Sequence, residues 1–225
     1  NVYPWINFLA FVFILIGLYY SFFNSPPDYL QGETVRIMYI HVPSAWLSLM
    51  IYSSMGICSI ISLIWKPTLA DIISRSCAPI GASFTLVTLI TGSIWGKPTW
   101  GTWWVWDARL TSTLVLLLLY LGIIALRNAL EEKGNDGRPC AVLALVGLVN
   151  LPIIKYSVDW WFTLHQPATN KFTSAPSMHP DMFYPLLIMI VGFYLLYAVV
   201  LMLAVRAEIL LRERKTNWVR TLVLK

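Results

Sequence analysis

The residues most capable of chemistry crowd into one stretch, WGKPTWGTWWVWDAR, where Trp95, Trp100, Trp103, Trp104 and Trp106 fall within twelve positions. If this stretch is helical, Trp100, Trp103, Trp104 and Asp107 stand at i, i+3, i+4 and i+7 and share one face. Tryptophan also forms belts at membrane interfaces, where about one or two per helix end suffice. Five so close together, with Gly96 and Gly101 permitting close approach, point instead to a binding platform. Indole faces suit a large planar ring, either a porphyrin or a quinone.

Histidine separates these two ligands, because haem iron takes axial imidazoles and a six-coordinate iron can take two. The chain has three histidines. His41 sits in MYIHVPSAW and His165 in WWFTLH, both strongly aromatic, and these two are favoured as axial ligands from opposite sides of the ring. His179, in SAPSMHPD, reads as a loop residue, and Met178 beside it is an equally weak candidate. Each histidine taken alone is more readily a hydrogen-bonded structural residue; several on the tryptophan side shift that balance. Haem propionates need cationic partners, and Arg36 and Arg109 are the best placed, although either could simply flank a membrane helix. Asp107 would repel a propionate and fits better as the N-cap of a helix starting at about Ala108. Lys97 and Lys155 could assist electrostatically.

The elements that position these residues are set by composition. The chain is 58% hydrophobic and 12% charged over 225 residues, against roughly a quarter charged in soluble domains, so it belongs in lipid. Six apolar runs are long enough to cross a bilayer as helices: Trp5–Phe23, Ile37–Trp65, Ser76–Gly96, Leu110–Leu126, Pro139–Ile154 and Met182–Val205. The fifth is the weakest, since Lys155 and Asp159 follow it. No small-residue cleavage pattern follows Phe23, so the first run is expected to stay as a helix; the lack of an initiating Met suggests a trimmed or partial N-terminus. Eleven of the sixteen lysines and arginines (Lys66, Arg75, Arg127, Lys133, Arg138, Arg206, Arg212, Arg214, Lys215, Arg220 and Lys225) fall on one side, and Arg36, Lys97, Arg109, Lys155 and Lys171 on the other. This places both termini in the cytoplasm and the tryptophan segment outside. The net charge of +5 follows from topology and lipid headgroups, not from binding nucleic acid. The expected fold is an all-α integral membrane protein, a single bundle of six transmembrane helices over residues 1–225. Residues 206–225 form a cytoplasmic basic tail that lies along the membrane as an amphipathic helix or serves as a docking surface. Cys58, Cys77 and Cys140 are far apart with no CxxC or CxxCH, which argues against thiol–disulfide chemistry and covalent haem attachment.

RIMYIHVPSAW, GSIWGKPTWGTWWVWDARLTS and NLPIIKYSVDWWFTLHQP closely resemble the signatures of the cytochrome c maturation protein C (haem exporter protein C) family, within the haem-handling superfamily defined by a tryptophan-rich WWD segment. The resemblance covers nearly the whole chain. It implies non-covalent haem b presented at the outer face of the bacterial inner membrane, in preference to the mitochondrial one. There it would be bound by His41 and His165 over the Trp100–Asp107 platform. It also implies partners: a haem chaperone of the cytochrome c maturation protein E type that receives the haem, ABC transporter subunits of A and B type, and a small single-span subunit of D type. His179 inherits no role.

Other functions compete. A haem lyase attaching haem to apocytochrome would need more spans and further histidines. A quinone-dependent oxidoreductase would need a redox cofactor or carboxylates within the membrane, and the central portions of these spans hold no Asp or Glu. A channel or transporter would be expected to show charged residues along a polar pathway. No phosphate-cradling GxxxxGK[ST] occurs, so the chain is read as a haem-binding transfer component, neither an ATPase nor an enzyme.

Overall fold

In the computed structural model, residues 3–132, 137–165 and 178–223 are described; Lys133, Lys171 and Lys225, placed on the two sides above, lie outside them. Backbone amides and carbonyls in hydrocarbon have no water to bond, so the chain satisfies them locally as helices. Those helices are α1 (Tyr3–Tyr19), α2 (Met38–Trp65), α3 (Thr68–Trp100), α4 (Ala108–Glu132), α5 (Arg138–Gly147), α6 (Asn150–Trp160), α7 (Pro180–Arg212) and the short α8 (Asn217–Val223). A π-helical turn, Tyr20–Asn24, extends α1, and a 3-10 turn, Glu33–Ile37, leads into α2. Among the described residues, six segments are long and apolar enough to cross a membrane: Tyr3–Asn24, Glu33–Trp65, Thr68–Trp100, Ala108–Glu132, Arg138–Trp160 and Pro180–Arg212. The all-α, six-span expectation holds.

Two differences from the apolar-run reading have physical causes. The fifth span breaks into α5 and α6 and runs past Lys155 and Asp159 to Trp160. Pro152 has no N–H to give the Leu148 carbonyl, and its ring crowds that carbonyl. Leu148 O accepts instead from Leu151 N at 3.1 Å, a tighter turn that interrupts the helix. Elsewhere the helices outrun the apolar runs. α3 begins at Thr68 and takes in Asp71 and Arg75, because those charges are paired by the neighbouring helices.

The bundle core sits between α2, α3, α4 and α7. Tyr52 and Tyr120 meet edge to face at 5.0 Å, and the buried Tyr120 hydroxyl donates to Ser48 O at 2.8 Å. α1 packs on α7 at the periphery. A second apolar cluster, Met38 and Tyr39 of α2 with Met182, Leu186 and Met189 of α7, underlies the tryptophan end, and Met178 packs against it. Met178 therefore belongs to this packing. Cys77 and Cys140 are buried, and all three cysteines are free thiols.

The opposite, basic end is tied by ion pairs across three helices. Asp71 of α3 accepts from Arg127 of α4 at 2.9 Å and from Arg212 of α7 at 2.9 Å. Arg75 pairs with Glu131 of α4 and with Glu208 of α7. Arg127 is almost fully buried, whereas Arg212 is about a third exposed. Removing a buried partner leaves a desolvated charge, at a cost of about 1–3 kcal/mol or more, whereas an exposed pair contributes about 0–1 kcal/mol. Arg127→Ala is accordingly expected to lower the thermal unfolding midpoint of the detergent-purified chain clearly more than Arg212→Ala. Equal midpoints for the two variants would contradict this ranking.

Candidate functional site

The tryptophan segment is not a helix. α3 closes at Trp100, and Gly101 takes the left-handed conformation (φ +78) while its N–H bonds back to Lys97 O. A residue with a Cβ is disfavoured there, so the glycine ends the helix. The Lys97 ammonium donates to Gly101 O at 3.1 Å. Beyond it the chain bends and then extends, with the Thr102 hydroxyl donating to Trp104 O at 3.0 Å. The shared helical face drawn through Trp100, Trp103, Trp104 and Asp107 is thus not formed, since of the four only Trp100 belongs to a helix.

Trp103 and Trp106 are 57% and 75% exposed. Trp104 meets Trp106 edge to face at 5.5 Å, yet its own indole Nε1 is buried without a hydrogen-bond partner. Asp107 does what its position predicted. Its Oδ1 accepts from Leu110 N at 2.7 Å and caps α4, while Oδ2 is buried and unpartnered. Buried polar atoms without partners are uncommon, and two of the four among the described residues fall in this turn.

The two histidines meet the end of α3 from different elements. His41, in the first turn of α2, lies against α3: its Nδ1 is 3.0 Å from the Thr91 hydroxyl, and its ring meets Trp95 edge to face at 5.7 Å. Gly92 makes the approach possible, since a Cβ there would stand 3.0 Å from His41 Cε1. His165, after α6, lies in a turn in which the Thr163 hydroxyl accepts from His165 N at 3.1 Å. Its ring is 6.2 Å from that of Trp100. One side chain of α3 therefore touches each histidine, five residues apart, and His165 and Arg109 are both within electrostatic reach of the His41 ring.

The cations are already engaged. Arg109 donates to Ser157 Oγ at 2.7 Å and to Lys155 O at 3.4 Å, pinning α4 to α6, and faces the Asp107 and Asp159 carboxylates. Arg36 pairs with Glu33 and donates to Ser21 O at 2.6 Å, fastening the α1–α2 connection to the end of α1. Lys155 lies 5.4 Å from the Tyr156 ring centroid. His179 is the N-cap of α7, its Nδ1 accepting from Asp181 N at 3.3 Å, so it is a helix-start residue and not simply part of a loop.

Sequence reading missed Thr91 and Gln31. Gln31 Oε1 accepts from Trp95 Nε1 at 2.7 Å and so holds the ring that rests on His41. The available signal was helical spacing: Thr91 lies four residues before Trp95 and shares its face of α3.

These features define a class: an all-α, six-span membrane protein with an aromatic, two-histidine site at one end of its bundle. The family model described as Heme exporter protein C matches residues 1–220, and the chain belongs to that family. It is 50% identical over 213 residues to a heme exporter protein C of Bradyrhizobium diazoefficiens, covering 95% of this chain and 81% of that one. It is 48% identical over 222 residues to that of Escherichia coli K12, covering 99% and 89%. A Marchantia polymorpha protein, named as ccmC-like, mitochondrial and of cytochrome c biosynthesis, is 46% identical over 196 residues, 87% of this chain and 82% of its own.

The cap makes a separable prediction. Asp107→Ala removes an N-cap worth about 1 kcal/mol, whereas asparagine caps about as well as aspartate. Asp107→Asn should keep the thermal midpoint of the purified chain and Asp107→Ala should lower it; equal losses in both would remove the capping role.

Proposed function

We propose that this chain binds haem at the tryptophan end of its bundle and passes it on for cytochrome c maturation. The observation that carries this reading is the approach of His41 and His165 to the same end of α3, at Trp95 and Trp100. A bare metal ion is usually caged by three or four protein ligands, and among the described residues no three His, Cys, Asp or Glu side chains gather. Two imidazoles suit an iron that brings four porphyrin nitrogens of its own. Exposed Trp103 and Trp106 offer indole area to the face of the ring. Of the two arginines proposed as propionate partners, Arg109 is within electrostatic reach of His41 and faces Asp107 and Asp159, and Arg36 pairs with Glu33.

Haem is cargo here, held without covalent attachment as haem b by His41 and His165 over the Trp100, Trp103, Trp104, Trp106 and Asp107 segment. The excess of lysine and arginine at the opposite end supports a cytoplasmic location for both termini and for the basic tail 206–225, with the site at the outer face of the bacterial inner membrane. Delivery to a haem chaperone of the E type, in company with A- and B-type transporter subunits and a D-type single-span subunit, is the reading the family relationship supports. In it the chain is a transfer component and not an enzyme.

The test is spectroscopic. Purified full-length chain loaded with haem b should show a six-coordinate spectrum. His41→Ala and His165→Ala should each shift it and weaken retention at least about tenfold, a loss of 1.4 kcal/mol or more. An unaltered spectrum in both variants would defeat the ligand assignment.

A further inference from the structure

We infer that Thr91 fixes the tautomer of His41, making it a positioning residue for haem ligation; the inference rests on the reading of His41 as a ligand. A threonine hydroxyl has one proton to give. That of Thr91 has two carbonyls within reach back along α3, Val87 O at 2.7 Å and Thr88 O at 3.3 Å. With the proton so engaged, the same oxygen accepts from His41 Nδ1, 3.0 Å away. An acceptor at Nδ1 calls for a proton there, and a neutral imidazole protonated on Nδ1 carries its lone pair on Nε2.

A ring nitrogen must present a lone pair to ligate a metal, and the partner of the other nitrogen decides which one does so. The Thr91 bond thus prepares Nε2 before any iron arrives. The ring plane is held as well: Trp95 stands edge-on at 5.7 Å, itself fixed through Nε1 by Gln31 Oε1 at 2.7 Å, and Gly92 leaves room for the Cε1 edge. An N–H donated to an oxygen also makes the imidazole a stronger electron donor, which favours ferric over ferrous iron.

Thr91→Val keeps the branched shape and deletes the acceptor, while Thr91→Ser keeps the hydroxyl. Loss of such a partner costs roughly ten- to a hundredfold in metal affinity; the lower end is expected for a neutral hydroxyl. Full-length purified chain is loaded with haem b, and retention and the haem midpoint potential are measured for wild type, Thr91→Val, Thr91→Ser and His41→Ala. Thr91→Val should weaken haem retention about tenfold and raise the potential; a tenfold preferential loss of the ferric form corresponds to about 59 mV. Thr91→Ser should restore both. If Thr91→Val is not monodisperse, Thr91→Ala carries the same comparison. An unchanged potential and retention in Thr91→Val, or equal changes in Thr91→Val and Thr91→Ser, overturns the inference. If His41→Ala leaves the spectrum unchanged, the ligand reading itself has failed, which is a different result.

Discussion

Everything in this molecule follows from the cost of an unpaired backbone amide or carbonyl in hydrocarbon, several kcal/mol each by order of magnitude. The chain meets that cost with helices and, apart from the tight turn between α5 and α6 inside the fifth span, confines the irregular backbone of its described residues to the ends of the bundle. α3 makes the consequence visible. Its 33 residues span roughly 50 Å at 1.5 Å per residue, against about 30 Å of hydrocarbon. A helix this long has chemistry to offer at both ends. One end carries Asp71 and Arg75 into the ion-pair network, and the other carries Thr91, Trp95 and Trp100 to the two histidines.

The two ends solve opposite problems. At the basic end each of the carboxylates Asp71, Glu131 and Glu208 is met by an arginine from another helix, so the charges lock α3, α4 and α7 together. At the tryptophan end, arginines and glutamine are spent on holding backbone and rings in place: Arg36 on the end of α1, Arg109 on α6, Gln31 on Trp95. Among the described residues, what stays unsatisfied there is Ser21 Oγ, Trp104 Nε1 and Asp107 Oδ2. A network with every member paired stabilises, whereas each unpaired buried group costs stability.

The spans were legible because apolar length is a local property, and so was the Asp107 cap, which depends on residues within three positions. The tryptophan face was not, because helical spacing says nothing about whether the helix continues; Gly101 ended it one residue after the face began. The break in the fifth span was written in Pro152, whose missing donor is also local, but an apolar-run count does not weigh it. His41 and His165 were picked out by their aromatic surroundings, yet what holds His41 could not be. Thr91 is 50 residues away in sequence, and Gln31 is 64 from the Trp95 it fixes. Such pairings leave no periodicity to read.

The two histidines come from different kinds of backbone. His41 belongs to α2 and is braced by α3, two long helices packed along the core. His165 stands beyond the end of α6, where the Thr163 hydroxyl accepts from its backbone N–H, and its ring is set against Trp100 in the last turn of that same α3. One helix therefore supplies neighbours to both rings: Thr91, Gly92 and Trp95 to His41, and Trp100 to His165. The five residues from Trp95 to Trp100, about 7.5 Å of helix rise, separate the two aromatic contacts. Separating His41 from its surroundings means parting α2 from α3, with the buried area that entails, so the packing of α3 along the core fixes the frame in which both histidines stand.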